Sequence, residues 1–199
     1  VKQIRDANAL GNTGSAGGLG TGGVKNDGSD QATIEFNTVD GALDIFIVNT
    51  DGGNYHFENN KTVTNSGEST TLTLASSGLT SADQYNNSSI YFTFSGTSYV
   101  RKITDSAFGS SVQTLTLDAT IPQLTGTITA NVAPFCRING DGHGQEIVLT
   151  ANSSDTDAVG GVTVVNSGNS FTTASVIIEQ QGTGSGTGAD ITAIIPPKG

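Results

Sequence analysis

Two histidines, His56 and His143, one cysteine, Cys136, and eighteen carboxylates are the side chains in this sequence that could do acid–base or nucleophilic work. A Ser-His-Asp triad needs a histidine held by a carboxylate and touching a nucleophile. His143 stands in Asn139-Gly140-Asp141-Gly142-His143-Gly144, with Asp141 close by. That composition reads as a tight polar turn. His56 follows Tyr55 after a Gly-Gly turn and reads as a strand-end residue. Cys136, in Ala-Pro-Phe-Cys-Arg-Ile, reads as a small core hydrophobe, and a single cysteine excludes an internal disulfide.

The same Asn139–Gly144 stretch has the oxygens of a calcium loop but lacks its fixed ligand spacing. Glu146 comes too early to close an EF-hand-type loop. Asn152-Ser153-Ser154-Asp155-Thr156-Asp157 is a second oxygen-rich cluster without a fixed motif. Two Gly-rich stretches, 20–23 and 182–188, invite a phosphate-cradle reading. Neither opens a helix nor carries Gly-Lys-Ser/Thr, so the second reads as a hairpin turn into a strand at 190–195. Glycosidase chemistry needs two carboxylates flanking a sugar, and spacing singles out no such pair. Sequons at Asn60, Asn86, Asn87 and Asn152 follow from an Asn/Ser/Thr-rich composition. The reading is therefore non-enzymatic: no catalytic, cofactor-binding or metal-binding residue is assigned, and no cofactor is expected.

The elements that would position any site are strands. Charged residues make up 13% of 199 residues and apolar ones 34%, so the chain is neither a charged linker nor a membrane span. Thr, Val and Ile suit pleated surfaces, and Gly, Asn and Ser suit the turns between them. Alternation marks 33–36, 43–48 and 71–74. Ile90 to Phe94 and Tyr99 to Ile103 flank Ser95-Gly96-Thr97-Ser98, a strong hairpin signal. Further strands are expected at 112–117, 124–130, 146–150, 162–165, 175–178 and 191–195. About eleven such segments at roughly ten-residue spacing predict an all-β fold. The expected architecture is a β-sandwich of many short, mainly antiparallel strands with long Gly-rich loops and little helix. One capping-type turn at 80–83 is the only helical hint. Residues 1–30 read as a Gly-rich loop or connector and 31–199 as the sandwich domain.

Ile45-Phe46-Ile47-Val48-Asn49 before a Gly turn and Tyr55 parallels Val162-Thr163-Val164-Val165-Asn166 before a Gly turn and Phe171. In each, the aromatic is expected to fold back over the strand end. The parallel suggests two related β halves, about 31–135 and 136–199. A net charge of −10 repels phosphate backbones and anionic lipid, so neither nucleic acid nor membrane is an expected partner. Val1 at one end and Pro196-Pro197-Lys198-Gly199 at the other read as cuts through a longer polypeptide.

Residues 161–176, the Gly-Ser-Thr turn that follows and Ala189-Asp190-Ile191-Thr192-Ala193-Ile194-Ile195 resemble a β repeat of tail proteins in T4-like bacteriophages. Ile194-Ile195-Pro196-Pro197-Lys198-Gly199 and Val39-Asp40-Gly41-Ala42-Leu43 narrow the resemblance to the baseplate wedge protein known as gene product eight, in its central and C-terminal β region. The match is sharp at 39–55 and 160–199, and no known motif covers 56–135. The resemblance implies a structural virion protein of the tail baseplate, assembled in the host cytoplasm. It also implies a homodimer in the parent protein and contacts with neighbouring wedge proteins. It carries no catalytic residues. The first alternative is a carbohydrate- or receptor-binding β module of a phage fibre or bacterial surface protein, and the second a β-fold polysaccharide-degrading enzyme.

Overall fold

A computed structural model describes residues 2–4, 24–26, 32–34, 41–75, 81–109 and 112–195. Among them there are fifteen strands and no helix, and every strand pairing with a resolved register is antiparallel. The chain divides into two compact units. One comprises Val1–Gly53, Cys136–Ile177 and Gly188–Gly199, and the other Asn54–Phe135 and Ile178–Thr187. The second unit is thus made from one long excursion of the chain and one short return.

The long excursion holds β5 (Glu58–Thr64), β6 (Ser69–Ala75), β7 (Ser88–Phe94), β8 (Thr97–Phe108), β9 (Val112–Ile121) and β10 (Ile128–Pro134). They close into a six-stranded barrel in the order β10-β5-β6-β9-β8-β7. Strands 7, 8 and 9 form a meander. β10 returns beside β7 and β6 lies beside β9, so the connections are Greek-key. The expected sandwich is corrected here. β10 pairs with β7 along one edge and with β5 along the other, so the main sheet has no free edge. Alternation of apolar and polar residues is the same in a sandwich and a barrel, because both bury one face of each strand.

The barrel is filled by its own side chains. Val63, Leu72, Leu74, Ile90, Phe92, Ile103, Leu115, Leu117, Ala130 and Val132 meet in its interior, with Tyr85, Ile121 and Leu124 added from its ends. The β7–β8 connection is a two-residue turn, since Phe94 pairs with Thr97. Ser95 (φ 50°) and Gly96 (φ 78°) both take positive φ, as a type I′ hairpin turn requires. The 81–83 part of the expected capping turn folds as a non-helical turn, and Asp83 (φ 65°) prevents propagation; Thr80 lies outside the described residues.

The other unit contains β4 (Ile45–Gly53), β11 (Cys136–Gly140), β12 (His143–Ala151), β13 (Val159–Asn169), β14 (Ala174–Ile178) and β15 (Thr187–Ile194). They form the pairs β11-β14, β12-β13 and β15-β4. β13 also packs against β4, and β11 against β12. Ile147, Val148 and Leu149 are buried in succession, so both faces of β12 are covered. Leu43, Ile45, Phe46, Val159, Phe171 and Ile191 complete this core. A three-stranded sheet, β1 (Lys2–Ile4), β3 (Ala32–Ile34) and β2 (Val24–Asn26), has β3 in the middle. Most of the expected 1–30 connector, including its Gly-rich run, lies outside the described residues.

The two parallel segments both belong to this unit, on β4 and β13. They are joined at their ends. The Leu43 N–H donates to the Ser167 carbonyl at 2.8 Å and the Phe171 N–H to the Gly41 carbonyl at 3.2 Å. The Ser167 hydroxyl donates to Asp44 Oδ1.

Candidate functional site

The Asn139–Gly144 turn joins β11 to β12, and its chemistry is decided by Asp141. Asp141 Oδ1 accepts the Thr172 and Thr173 N–H groups at 2.8 Å each, and Oδ2 accepts the Thr172 hydroxyl. The carboxylate therefore caps the chain between β13 and β14. A β-carbon on Gly142 would overlap the Phe171 ring and the Asn169 carbonyl. The glycine is there to admit the aromatic side chain, which is 4% exposed. Phe171 thus covers the β11–β12 turn, while His143 opens β12 opposite Asn169 and is exposed. Asp141 and His143 are neighbours in sequence, but this carboxylate is committed to Thr172 and Thr173.

Those bonds set the Asp141 acidity. The Thr172 hydroxyl, then the Thr173 and Thr172 N–H groups, stabilise the anion and hold the carboxyl well below the usual carboxylate range. A folded pKa depressed in this way adds stability above the unfolded value of about 3.9. That contribution is lost as pH falls toward the folded value. Asp141→Asn keeps the Oδ1 acceptor but cannot titrate. We expect wild type to melt above this variant at pH 6–7, with the gap closing below about pH 4. Thermal melts of both proteins across that range check it.

Cys136 lies on β11, 4% exposed, with Sγ 3.9 Å from the Ile147 carbonyl. Burial pushes its pKa up to about 12, so the reactive thiolate is withheld. The native protein should leave a disulfide-exchange reagent such as Ellman's reagent unconsumed at pH 8. One thiol per chain should then appear on unfolding in guanidinium. Rapid stoichiometric reaction of the native chain would show the thiol to be accessible.

The oxygen-rich loop at 152–157 is a set of side-chain-stabilised turns between β12 and β13. Asn152 Oδ1 accepts the Ser154 N–H at 2.9 Å, and Asp155 Oδ1 the Asp157 N–H at 3.2 Å. Asn152 Nδ2 donates to Asp51 Oδ2 on β4 at 2.8 Å. Among the described residues, no group of three or more His, Cys, Asp and Glu side chains is placed to hold a metal ion.

The Gly-rich stretch near 182–188 departs most from its expected form. β14 pairs with β11 and β15 with β4, so no hairpin joins β14 to β15. The intervening Ile178–Thr187 forms instead a strap that packs with the barrel strands in one unit. Glu179 pairs with Lys102 on β8 at 2.5 Å, and its N–H donates to the Phe135 carbonyl at 2.9 Å. Gln181, 2% exposed, brackets the His56 backbone: its Oε1 accepts the His56 N–H at 2.8 Å and its Nε2 donates to the His56 carbonyl at 2.9 Å. Nε2 also donates to Ser88 Oγ at 2.9 Å. The Gly182 N–H donates to the Asn86 carbonyl at 2.7 Å, and a β-carbon there would overlap the Asp83 carbonyl. Gly186 gives the same clearance to Tyr55, which is 5% exposed.

His56 is therefore a residue whose backbone anchors the strap. Sequence reasoning missed Gln181, because a lone glutamine before a Gly/Ser run carries no periodic or motif signal. It also missed the pair Tyr99 and Arg101 on β8. Tyr99 stacks on Phe92 with centroids 5.3 Å apart, and the Arg101 guanidinium lies 5.6 Å from the Tyr99 ring centroid. No protein-family model matches the chain, and neither a curated protein nor a solved structure matches it.

Proposed function

We propose that this chain is a structural, non-enzymatic virion protein of a phage tail baseplate, a wedge component that presents β surfaces to neighbouring wedge proteins. The observation carrying this reading is how its polar groups are used. Asp141 caps a loop, Gln181 anchors a strap and Asp155 and Asn152 shape a turn. These two carboxylates and two amides are engaged in fixing backbone. Rigid surfaces are what an assembly component contributes.

Two further points support it. The described parts of the segments resembling the wedge family include β4, β13 and β15, where β15 pairs with β4 and β13 packs on β4. They form one contiguous module. The unmatched residues 56–135 are the barrel excursion. The charge of −10 favours protein partners over nucleic acid or anionic membrane. In the parent protein the chain forms a homodimer and joins the wedge in the host cytoplasm.

A glycan array probed with the purified chain separates this reading from a carbohydrate-binding module. An assembly protein gives no specific glycan signal. A reproducible hit, competed by the free sugar, would replace the baseplate reading with the receptor-binding one.

A further inference from the structure

Over its first half β8 is paired on one side only. Thr97 to Lys102 pair with β7, whereas pairing with β9 begins at Ile103 opposite Leu117 and shifts register before Asp105. Where the strands part, the Lys102 N–H donates to Asp118 Oδ1 at 3.0 Å. Opposite residues of an antiparallel pair share a face. Tyr99 lies opposite Phe92 and Arg101 opposite Ile90, so both share the inward face at this opening.

Arg101 is a cation without an acid there. Its Nη1 donates to the Val100 carbonyl at 2.8 Å, and its Cζ lies over the Tyr99 ring at cation–π range, 5.6 Å from the centroid. Its Nε is buried and meets no acceptor among the described residues. Asp118 is engaged by the Lys102 backbone, the Lys102 ammonium is paired with Glu179 and Lys61 with Glu58 at 2.8 Å. In a chain with 18 acidic and 8 basic residues, carboxylates are plentiful, yet among the described residues none is paired with Arg101. With Nε buried, the Nη end of the guanidinium is what remains open, and two N–H groups there suit one carboxylate. Arg and Tyr together are also the residue types that anchor protein interfaces.

We propose that Tyr99 and Arg101 form a receptor site for a single carboxylate side chain, Asp or Glu, of a neighbouring protein subunit. This rests on the assembly reading and names the chemistry of one contact. The net negative charge of the chain disfavours polyanions at the same place, which leaves an isolated carboxylate as the fitting ligand.

The test is a titration of the isotope-labelled full chain with sodium acetate, followed by the Arg101 Nε–H resonance, with chloride and inorganic phosphate as controls at equal ionic strength. The expected result is a saturable shift with acetate at a concentration tenfold or more below any effect of chloride. Arg101→Gln abolishes it for the Tyr99 ring resonances, and Arg101→Lys, which keeps the charge, weakens it severalfold. A linear shift shared with chloride, or a Tyr99 response that survives Arg101→Gln, would overturn the site. Tighter binding of phosphate than acetate would overturn the carboxylate assignment. Because the probe is a free anion, either failure leaves the location of the chain in the virion to be judged separately.

Discussion

Gln181→Ala is expected to destabilise the barrel unit by on the order of 3 kcal/mol, since each buried polar group left without its partner costs about 1–3 kcal/mol. Three groups lose theirs: the His56 N–H, the His56 carbonyl and Ser88 Oγ. Ser88 is fully buried, so water cannot replace its bond without opening the packing. Gln181→Glu is a sharper probe. It retains an acceptor for the His56 N–H but removes both donations from Nε2 and buries a charge, so it should cost at least as much. Gly182→Ala should loosen the same strap by a steric route, because the new methyl would overlap the Asp83 carbonyl. Urea unfolding curves measure the three variants. If Gln181→Ala unfolds at the wild-type midpoint, the strap is not an integral part of the barrel unit.

Phe92→Ala carries the second large effect, about 3–5 kcal/mol for removing a buried aromatic side chain. Phe92 is 1% exposed in the barrel interior and its ring is the platform on which Tyr99 stacks. Its loss removes apolar area and leaves a cavity that six paired strands cannot collapse around freely. Phe94, two residues on and next to the hairpin turn, is only partly buried against the same cluster. Its replacement should cost clearly less. Denaturant midpoints of the two single variants give the ordering directly. An equal or reversed ordering would place the barrel core elsewhere along β7.

Much of the strand pattern was legible in the sequence because burial of one face writes a two-residue period. β6 and β7 show it, with Leu72 and Leu74 inward on one and Ile90 and Phe92 on the other. The Ser95-Gly96 turn was legible because few residues tolerate two successive positive φ values. β5 was not. Its sequence, Glu-Asn-Asn-Lys-Thr-Val-Thr, sends only Val63 fully into the core, and Asn60 sits at φ 55° beside a register shift in the pairing with β10. A strand with one buried residue leaves no alternation to read, yet this strand is the one that closes the barrel. Without it, sandwich and barrel cannot be told apart.

Turn chemistry was legible at Asn139–Gly142, where Asp and Gly announce a tight bend. The partners were not: Thr172 and Thr173 are distant in sequence, and nothing local links them to Asp141. The strap was hidden for the same reason. Its Gly-rich composition reads as a hairpin turn, whereas Gly182 and Gly186 are spaces left for Asp83 and Tyr55. In both places the glycine records a contact made by a remote part of the chain.

The most direct test of the account is where the protein sits in a particle. If the proposed wedge role holds, an antibody raised against the purified chain, applied to intact tails of a phage that produces it and viewed by immunogold electron microscopy, should decorate the hexagonal baseplate. Label confined to fibre tips, or absent from particles that carry every other tail protein, would contradict the wedge assignment.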